Sequence, residues 1–262
     1  MNTRSSSPHP DSSEFSLSPC VTIVTGAGSG IGKAIAKRFC SAGSYVTLAD
    51  INHSNLELVI SEMETPEHVM PITVDVTSKE SVDSMVQKTV ERWGTLDVLV
   101  CSAGITSATP FLELSLEEWE QMLRTNLTGT FLCCKAALVA MQERKQGSIV
   151  NIASVAGKKG GGFFGTSHYA ASKGGVLAFT RALAREAIRM GIRVNGICPG
   201  PTETPLIAKM DSQRRRQLTD SIPIGRFAEA DEIARAALFL ASNQSSYCVG
   251  ECLAVDGGIL MD

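Results

Sequence analysis

Tyr169 and Lys173 stand four positions apart in Tyr169-Ala170-Ala171-Ser172-Lys173. On a helix that spacing sets a phenol and an ammonium side by side on one face. A phenol titrates near pH ~10 and is a poor base at neutral pH, but a nearby cation favours its ionised form and moves it toward acid–base work. The pair alone is common and usually decorates a surface, so its meaning depends on what the rest of the chain sets beside it. A second chemical signal is Thr25-Gly26-Ala27-Gly28-Ser29-Gly30-Ile31-Gly32. Glycines here let a backbone approach a pyrophosphate and aim the N-terminus of the following helix, read over 33–42, at the phosphates. Asp50 lies 24 positions past Gly26 at the end of an apolar run, close to the ~20 expected of a carboxylate that accepts from both adenosine ribose hydroxyls. A turn or helix-capping Asp is the alternative reading. Such a carboxylate repels a 2′-phosphate, and no Arg or Lys lies within Gly26–Gly32 or next to Asp50 to neutralise one. NAD(H) is therefore expected in preference to NADP.

The elements that must position these residues follow a strand-then-helix alternation from Cys20 onward. Apolar runs predict strands at 21–25, 45–50, 69–75, 96–101, 148–153, 192–198 and 252–255. Helical periods begin near Gly30, Ser54, Ser78, Ser115, Ser167 and Ala230, several opened by a serine suited to an N-cap. This order implies an α/β fold: one doubly wound Rossmann-type domain over residues 20–262 with a mostly parallel, seven-stranded sheet, binding ligands beyond the carboxyl ends of its strands. The longest stretch without a strand or helix signal, 199–226, follows a strand end, where a substrate-covering loop belongs. Residues 1–19 are rich in Ser and Pro, have no apolar stretch of a leader peptide, and read as a disordered tail.

Composition narrows the function. A net charge of −3 gives no general reason to bind nucleic acid or an anionic membrane, and the most apolar stretch, 131–141, is interrupted by Lys135 and too short for a bilayer span. Eight cysteines lie in apolar stretches without metal-site spacing, which reads as buried thiols in a reducing, cytoplasmic setting. The four histidines (His9, His53, His68, His168) show no ligand spacing either, so no metal is expected, and His168 reads as a helix-start residue.

The motif T-G-x-x-x-G-x-G resembles the signature of the short-chain dehydrogenase/reductase family, and the likeness runs over about residues 20 to 258. It implies that Gly26, Gly28, Ser29, Gly30, Ile31 and Gly32 cradle the cofactor, that Asp50 and Ile51 hold its adenosine, and that Asp75 and Val76 contact the adenine. Ser102, Ala103 and Gly104 would line the cofactor in the family's Asn-Asn-Ala-Gly segment, which here reads Cys101-Ser102-Ala103-Gly104 and lacks the first amide. Asn126, Ser154, Tyr169 and Lys173 match the family's catalytic positions. On that resemblance Ser154 orients the substrate oxygen and Tyr169 is the general acid/base. Lys173 tunes Tyr169 and holds the nicotinamide ribose, and Asn126 anchors a water relaying protons to it. Pro199, Gly200, Thr202 and Thr204 would fix the nicotinamide carboxamide, Thr202 through its backbone and Thr204 through its side chain.

Ser154 and Tyr169 are 15 positions apart, longer than the family's usual spacing, with the excess in the flexible, basic stretch 157–162. Lys158 or Lys159 there is a candidate contact for an anionic substrate group, a solvated loop charge being the alternative. Arg214-Arg215-Arg216 reads as a solvated helix face. The expected activity is interconversion of a secondary alcohol and a ketone on a small molecule such as a polyol or sugar. A 3-oxoacyl thioester reductase is the alternative, because 223–226 through 255–258 looks like that branch, although fatty-acid reductases usually take NADPH. A non-catalytic NAD(H) sensor is the alternative of another class. The resemblance also implies a homotetramer contacting through helices within 117–141 and 167–190.

Overall fold

The computed structural model describes residues 15–161, 166–208 and 210–261. Its strands are β1 (Val21–Thr25), β2 (Tyr45–Asp50), β3 (Val69–Thr73), β4 (Val98–Cys101), β5 (Gly147–Ile152), β6 (Ile192–Pro199) and β7 (Cys252–Val255). They form one sheet in the order β3-β2-β1-β4-β5-β6-β7, with every pairing parallel. β1, Val-Thr-Ile-Val-Thr, is buried along its whole length, the pattern expected of a β-branched strand covered on both faces. Thr25 is level with Ala49 of β2 and with Cys101 of β4. The winding reverses between β1 and β4, so a crevice opens at their carboxyl ends. Pro71 is accommodated in β3 because that strand is at the sheet edge and needs no outward ladder N–H.

The helices are α1 (Gly30–Ser41), α2 (His53–Ser61), α3 (Lys79–Trp93), α4 (Leu116–Leu123), α5 (Gly129–Met141), α6 (Val155–Lys159), α7 (Ser167–Ala187), α8 (Pro205–Ala208), α9 (Ser212–Asp220) and α10 (Ala230–Ala241). On one face of the sheet α1, α2 and α10 bury Ile35, Phe39, Leu56, Ile233 and Leu240 against Leu48 and Val100. On the other, α3, α5 and α7 bury Met85, Cys134, Met141 and Ala184 against Leu99 and Ile149. Each such large side chain, fully buried, contributes about 1.5–3 kcal/mol. Arg38 of α1 grips the Asp231 carboxylate of α10 through both Nε (2.9 Å) and Nη2 (2.5 Å), fixing how the two helices cross.

Several boundaries move from the sequence reading. β3 stops at Thr73 instead of Asp75 because Asp75 turns its carboxylate onto the Thr77 N–H, closing a turn. β4 begins at Val98, two residues late, since Asp97 is spent on the Val21 N–H. α1 starts at Gly30, where the helical period was expected to begin, and ends at Ser41. Ser78 and Ser115 cap α3 and α4, but Asn52 and Thr166 take the N-cap positions predicted near Ser54 and Ser167. Residues 1–14 of the expected tail lie outside the described residues, whereas Leu17 is only 2% exposed and its N–H bonds Ala42 O, so the packed chain begins before residue 20. Cys20 and Cys248 are half-buried where burial was expected; the other six cysteines are buried, and none of the eight is in a disulfide. Among the described residues no helix is long and apolar enough to cross a membrane, and no group of His, Cys, Asp or Glu could hold a metal ion.

Candidate active site

At the carboxyl ends of the strands lies a cavity of about 660 Å³. Of the residues expected to bind cofactor or to react, all line it except Gly28 and Asn126; of the two candidate substrate-contacting lysines, Lys159 lines it and Lys158 does not. At Gly26 φ is +68°, and a Cβ would come within 2.8 Å of Ala103 Cα, so glycine alone lets the β1 and β4 turns close together. Ser29 is the N-cap of α1 but its side chain does not cap it. The first-turn N–H groups therefore point at the cavity as an anion cradle that fits a pyrophosphate.

Asp50 does more than end β2. Its Oδ2 accepts from Gly28 N (3.0 Å) and its Oδ1 from Asn52 N (3.0 Å), so the carboxylate locks the glycine turn to β2 while facing the cavity. The lining cations are Lys159 and Lys173. Lys33 and Lys37, near the start of α1, are both drawn to Glu62 (2.7 and 3.1 Å). Among the described residues the Asp50 end of the cavity thus offers a carboxylate without a lining cation, which would suit an unphosphorylated ribose.

The absent amide at position 101 is offset from β1. Thr25 Oγ1 accepts from both Ser102 N (3.1 Å) and Ala103 N (3.2 Å) and donates to Val100 O (3.4 Å), which fixes the backbone of this part of the cavity wall. Cys101 faces away from the cavity, its Sγ 3.9 Å from Cys134 Sγ. Its contacts with Cys133 and Cys134, together with burial, push its thiol well above the usual range, so it is neutral and unreactive.

The reacting groups converge from three elements. Ser154 follows β5 and caps α6, its Oγ accepting from Ala156 N (3.1 Å), and it is hydrogen-bonded to the Tyr169 hydroxyl. Tyr169 and Lys173 lie one turn apart on α7. Burial raises the Tyr169 phenol and the Ser154 hydrogen bond partly lowers it again. Lys173, expected to lower the phenol by its charge, instead donates to Ile152 O (2.8 Å), its ammonium 6.0 Å from the Tyr169 ring centroid. Burial pulls Lys173 itself down to about 8, leaving it largely an ammonium at neutral pH. Asn126 sits in a π-helical turn, 124–128, between α4 and α5. Its Oδ1 accepts from Ile105 N (2.8 Å) and its Nδ2 donates to Ile105 O (2.9 Å) and Ser172 Oγ (3.0 Å). A Cβ on Gly104 would lie 3.1 Å from Asn126 Oδ1 and 3.5 Å from Lys173 Nζ, so the two groups flank one backbone position.

The far wall was less legible. Residues 157–159, expected within a flexible loop, belong to α6, which carries Lys159 to the cavity. Lys158 faces Cys252 closely enough for its charge to bear on that thiol. The expected loop 199–226 contains α8 and α9, and Ile207, Leu218, Ile222 and Phe227 form a small core of their own there. Arg214 and Arg216 are exposed on α9, while Arg215 pairs with Glu203 and lies over the Phe227 ring. Thr202 donates its hydroxyl to Gly200 O (2.9 Å), and the Thr204 methyl abuts Gly30, joining this segment to the glycine turn. Gln121 and Thr125 also line the cavity and were not foreseen; their i, i+4 spacing, one position before Met122 and Asn126, was the available signal.

Fold and site together define a nicotinamide-cofactor oxidoreductase architecture. Residues 26–260 match a family model described as enoyl-(acyl carrier protein) reductase, and the chain belongs to the short-chain dehydrogenase/reductase family. It is 38% identical to a 3-oxoacyl-[acyl-carrier-protein] reductase FabG of Thermotoga maritima, over 92% of this chain and 98% of that protein. It is also 38% identical to the (2S)-[(R)-hydroxy(phenyl)methyl]succinyl-CoA dehydrogenase subunit BbsD of Thauera aromatica, over 91% and 95%. Among solved structures, that of gox2181 superposes with a TM-score of 0.91 at 32% identity, covering 94% of this chain and 98% of that one. The chain is thus an oxidoreductase acting on CH–OH and C=O groups.

Proposed function

We propose that this oxidoreductase is NAD(H)-linked and interconverts a 3-hydroxyacyl and a 3-oxoacyl thioester. The observation that carries the chemistry is the meeting of Ser154, Tyr169 and Lys173 in a cavity whose opposite end holds Asp50 and the glycine turn. Bound NAD(H) would supply or accept the hydride. In reduction the Tyr169 hydroxyl gives its proton to the carbonyl oxygen, which Ser154 holds in place; in oxidation Tyr169 takes the alcohol proton. The Lys173 ammonium, buried beside them, would stabilise negative charge as it develops on the phenol and would hold the nicotinamide ribose, while Asn126 sets the Ile105 backbone and would anchor a proton-relay water.

Support for a thioester comes from the relatives, whose names specify acyl-carrier-protein and CoA substrates. Lys159 at the cavity wall would meet the anionic carrier arm. A polyol or sugar, the first expectation from sequence, has no comparable support. Asp50 favours NAD(H) over NADP(H) here even though the thioester branch of the family usually takes NADPH. The test is nicotinamide absorbance with NADH or NADPH against short 3-oxoacyl-CoA esters, sugars and polyols. Turnover of thioesters with NADH is expected. Turnover confined to polyols, or to NADPH, would overturn the respective part of the reading.

A homotetramer in a reducing, cytoplasmic compartment completes the proposal. Exposed Phe131 and Val139 on α5 and Ile188 after α7 support contact through these helices. A stable monomer at micromolar concentration in light scattering would contradict it.

A further inference from the structure

Asn151 on β5 and Thr180 on α7 are both wholly buried, and Asn151 Nδ2 donates to Thr180 Oγ1 (3.0 Å). The other end of the same amide is engaged as well, since Cys134 Sγ of α5 donates to Asn151 Oδ1 (3.4 Å). Alternate residues of a strand share a face, so Asn151 points the same way as Ile149 and Ala153, each of which belongs to an apolar cluster. Thr180 lies likewise between Leu177 and Ala184, residues of those same two clusters. Apolar side chains at these two positions would need no partners. A polar pair costs desolvation and is stable only while each group meets the other, so it opposes any slide of helix over strand.

The end of β5 meets α7 at three successive places: Asn151 at Thr180, Ile152 O at Lys173, and Ser154 at Tyr169. Strand and helix run past one another in opposite directions, and Tyr169, Lys173 and Thr180, at spacings of four and seven, lie along one helix face. Ile152 O is open to Lys173 because β4 ends at Cys101, level with Asn151, and the next two N–H groups go to Thr25. We propose that Asn151 and Thr180 are positioning residues, a buried polar pin that sets the register of α7 against the end of β5 and so brings Tyr169 to Ser154 and Lys173 to Ile152 O. The pin holds no reacting group itself. It serves the chemistry common to any ketone, and so does not depend on the thioester reading.

The test separates positioning from stability. Thr180→Val keeps the shape, removes the hydroxyl and strands the Asn151 amide, so the melting temperature should fall by about 2–4 °C. Its kcat should fall about tenfold, as expected for a small misplacement of reacting groups. Thr180→Ser, which keeps the hydroxyl, should retain the wild-type kcat. Asn151→Leu/Thr180→Val, apolar on both sides, should recover the melting temperature and leave kcat low. In titrations Thr180→Val should bind NADH about threefold more weakly, through Lys173, and bind ADP, which lacks the nicotinamide ribose, as tightly as wild type. The proposal is overturned if kcat recovers together with the melting temperature in the double variant, or if Thr180→Val keeps the wild-type kcat. It is equally overturned if NADH and ADP affinities change alike or not at all. Kinetics use whichever ketone the wild type reduces, so an inert 3-oxoacyl-CoA counts against the thioester reading alone; with no reducible ketone, the NADH and ADP titrations decide.

Discussion

The two walls of the cavity are built by different means. The wall proposed for the cofactor is mostly backbone: glycines at close approaches, first-turn N–H groups of α1, and a carboxylate tied to the turn it faces. The substrate wall is mostly side chains on short or irregular elements: the α6 turn, the π-helical turn, and α8 and α9 over their own small core. A backbone cradle tolerates little change and serves one ligand, whereas side chains on separate elements can be exchanged to fit different substrates on the same chemistry.

The sharpest break between the walls is expected at their junction. Ser154→Ala should lower kcat by about 10²–10³-fold, the range for losing one group that stabilises a developing oxyanion, and leave NADH binding unchanged in a fluorescence titration. Gly26→Ala should do the reverse. Its Cβ meets Ala103 at 2.8 Å in a left-handed backbone, so NADH affinity should fall by about tenfold or more and thermal stability by roughly 1–3 kcal/mol.

The difference in construction explains what could be read in advance. Glycine positions and the distance from Gly26 to Asp50 follow from backbone geometry, which a linear sequence displays directly. Tyr169 and Lys173 are four apart on one helix, so their adjacency was legible too. The role of Thr25 in place of the missing amide was not, because it joins β1 to β4 across 77 positions. α8 and α9 were hidden because four prolines and a run of arginines mask short apolar patterns that make sense only against Phe227. His168 looked like a helix start, and it is one.

Smaller effects sharpen the comparison further. Asp50→Ser, which removes the carboxylate from the ribose end, should shift the ratio of NADH to NADPH usage by about tenfold toward the phosphorylated cofactor, read as kcat/KM for each. Lys173, lowered by burial to about 8, should impose a fall in reductive kcat/KM as pH rises through that value and the ammonium is lost. Over the interval from about 8 to the ordinary 10.5, the unfolded chain binds the proton that the folded one has released, so this group's contribution to stability rises with pH while activity declines. Lys159→Ala should raise KM for a CoA ester about threefold, and not for a neutral ketone, as expected for a partly solvated ion pair. Unchanged KM in Lys158→Ala/Lys159→Ala would remove any anion contact from this wall.

The most direct test of the account measures NADH binding and NADH consumption together in wild type and Tyr169→Phe, using a 3-oxoacyl-CoA as substrate. Both proteins should bind NADH with the same affinity, and only the wild type should consume it at an appreciable rate. Equal turnover by Tyr169→Phe, or loss of NADH binding from that substitution alone, would contradict the division of labour between the two walls.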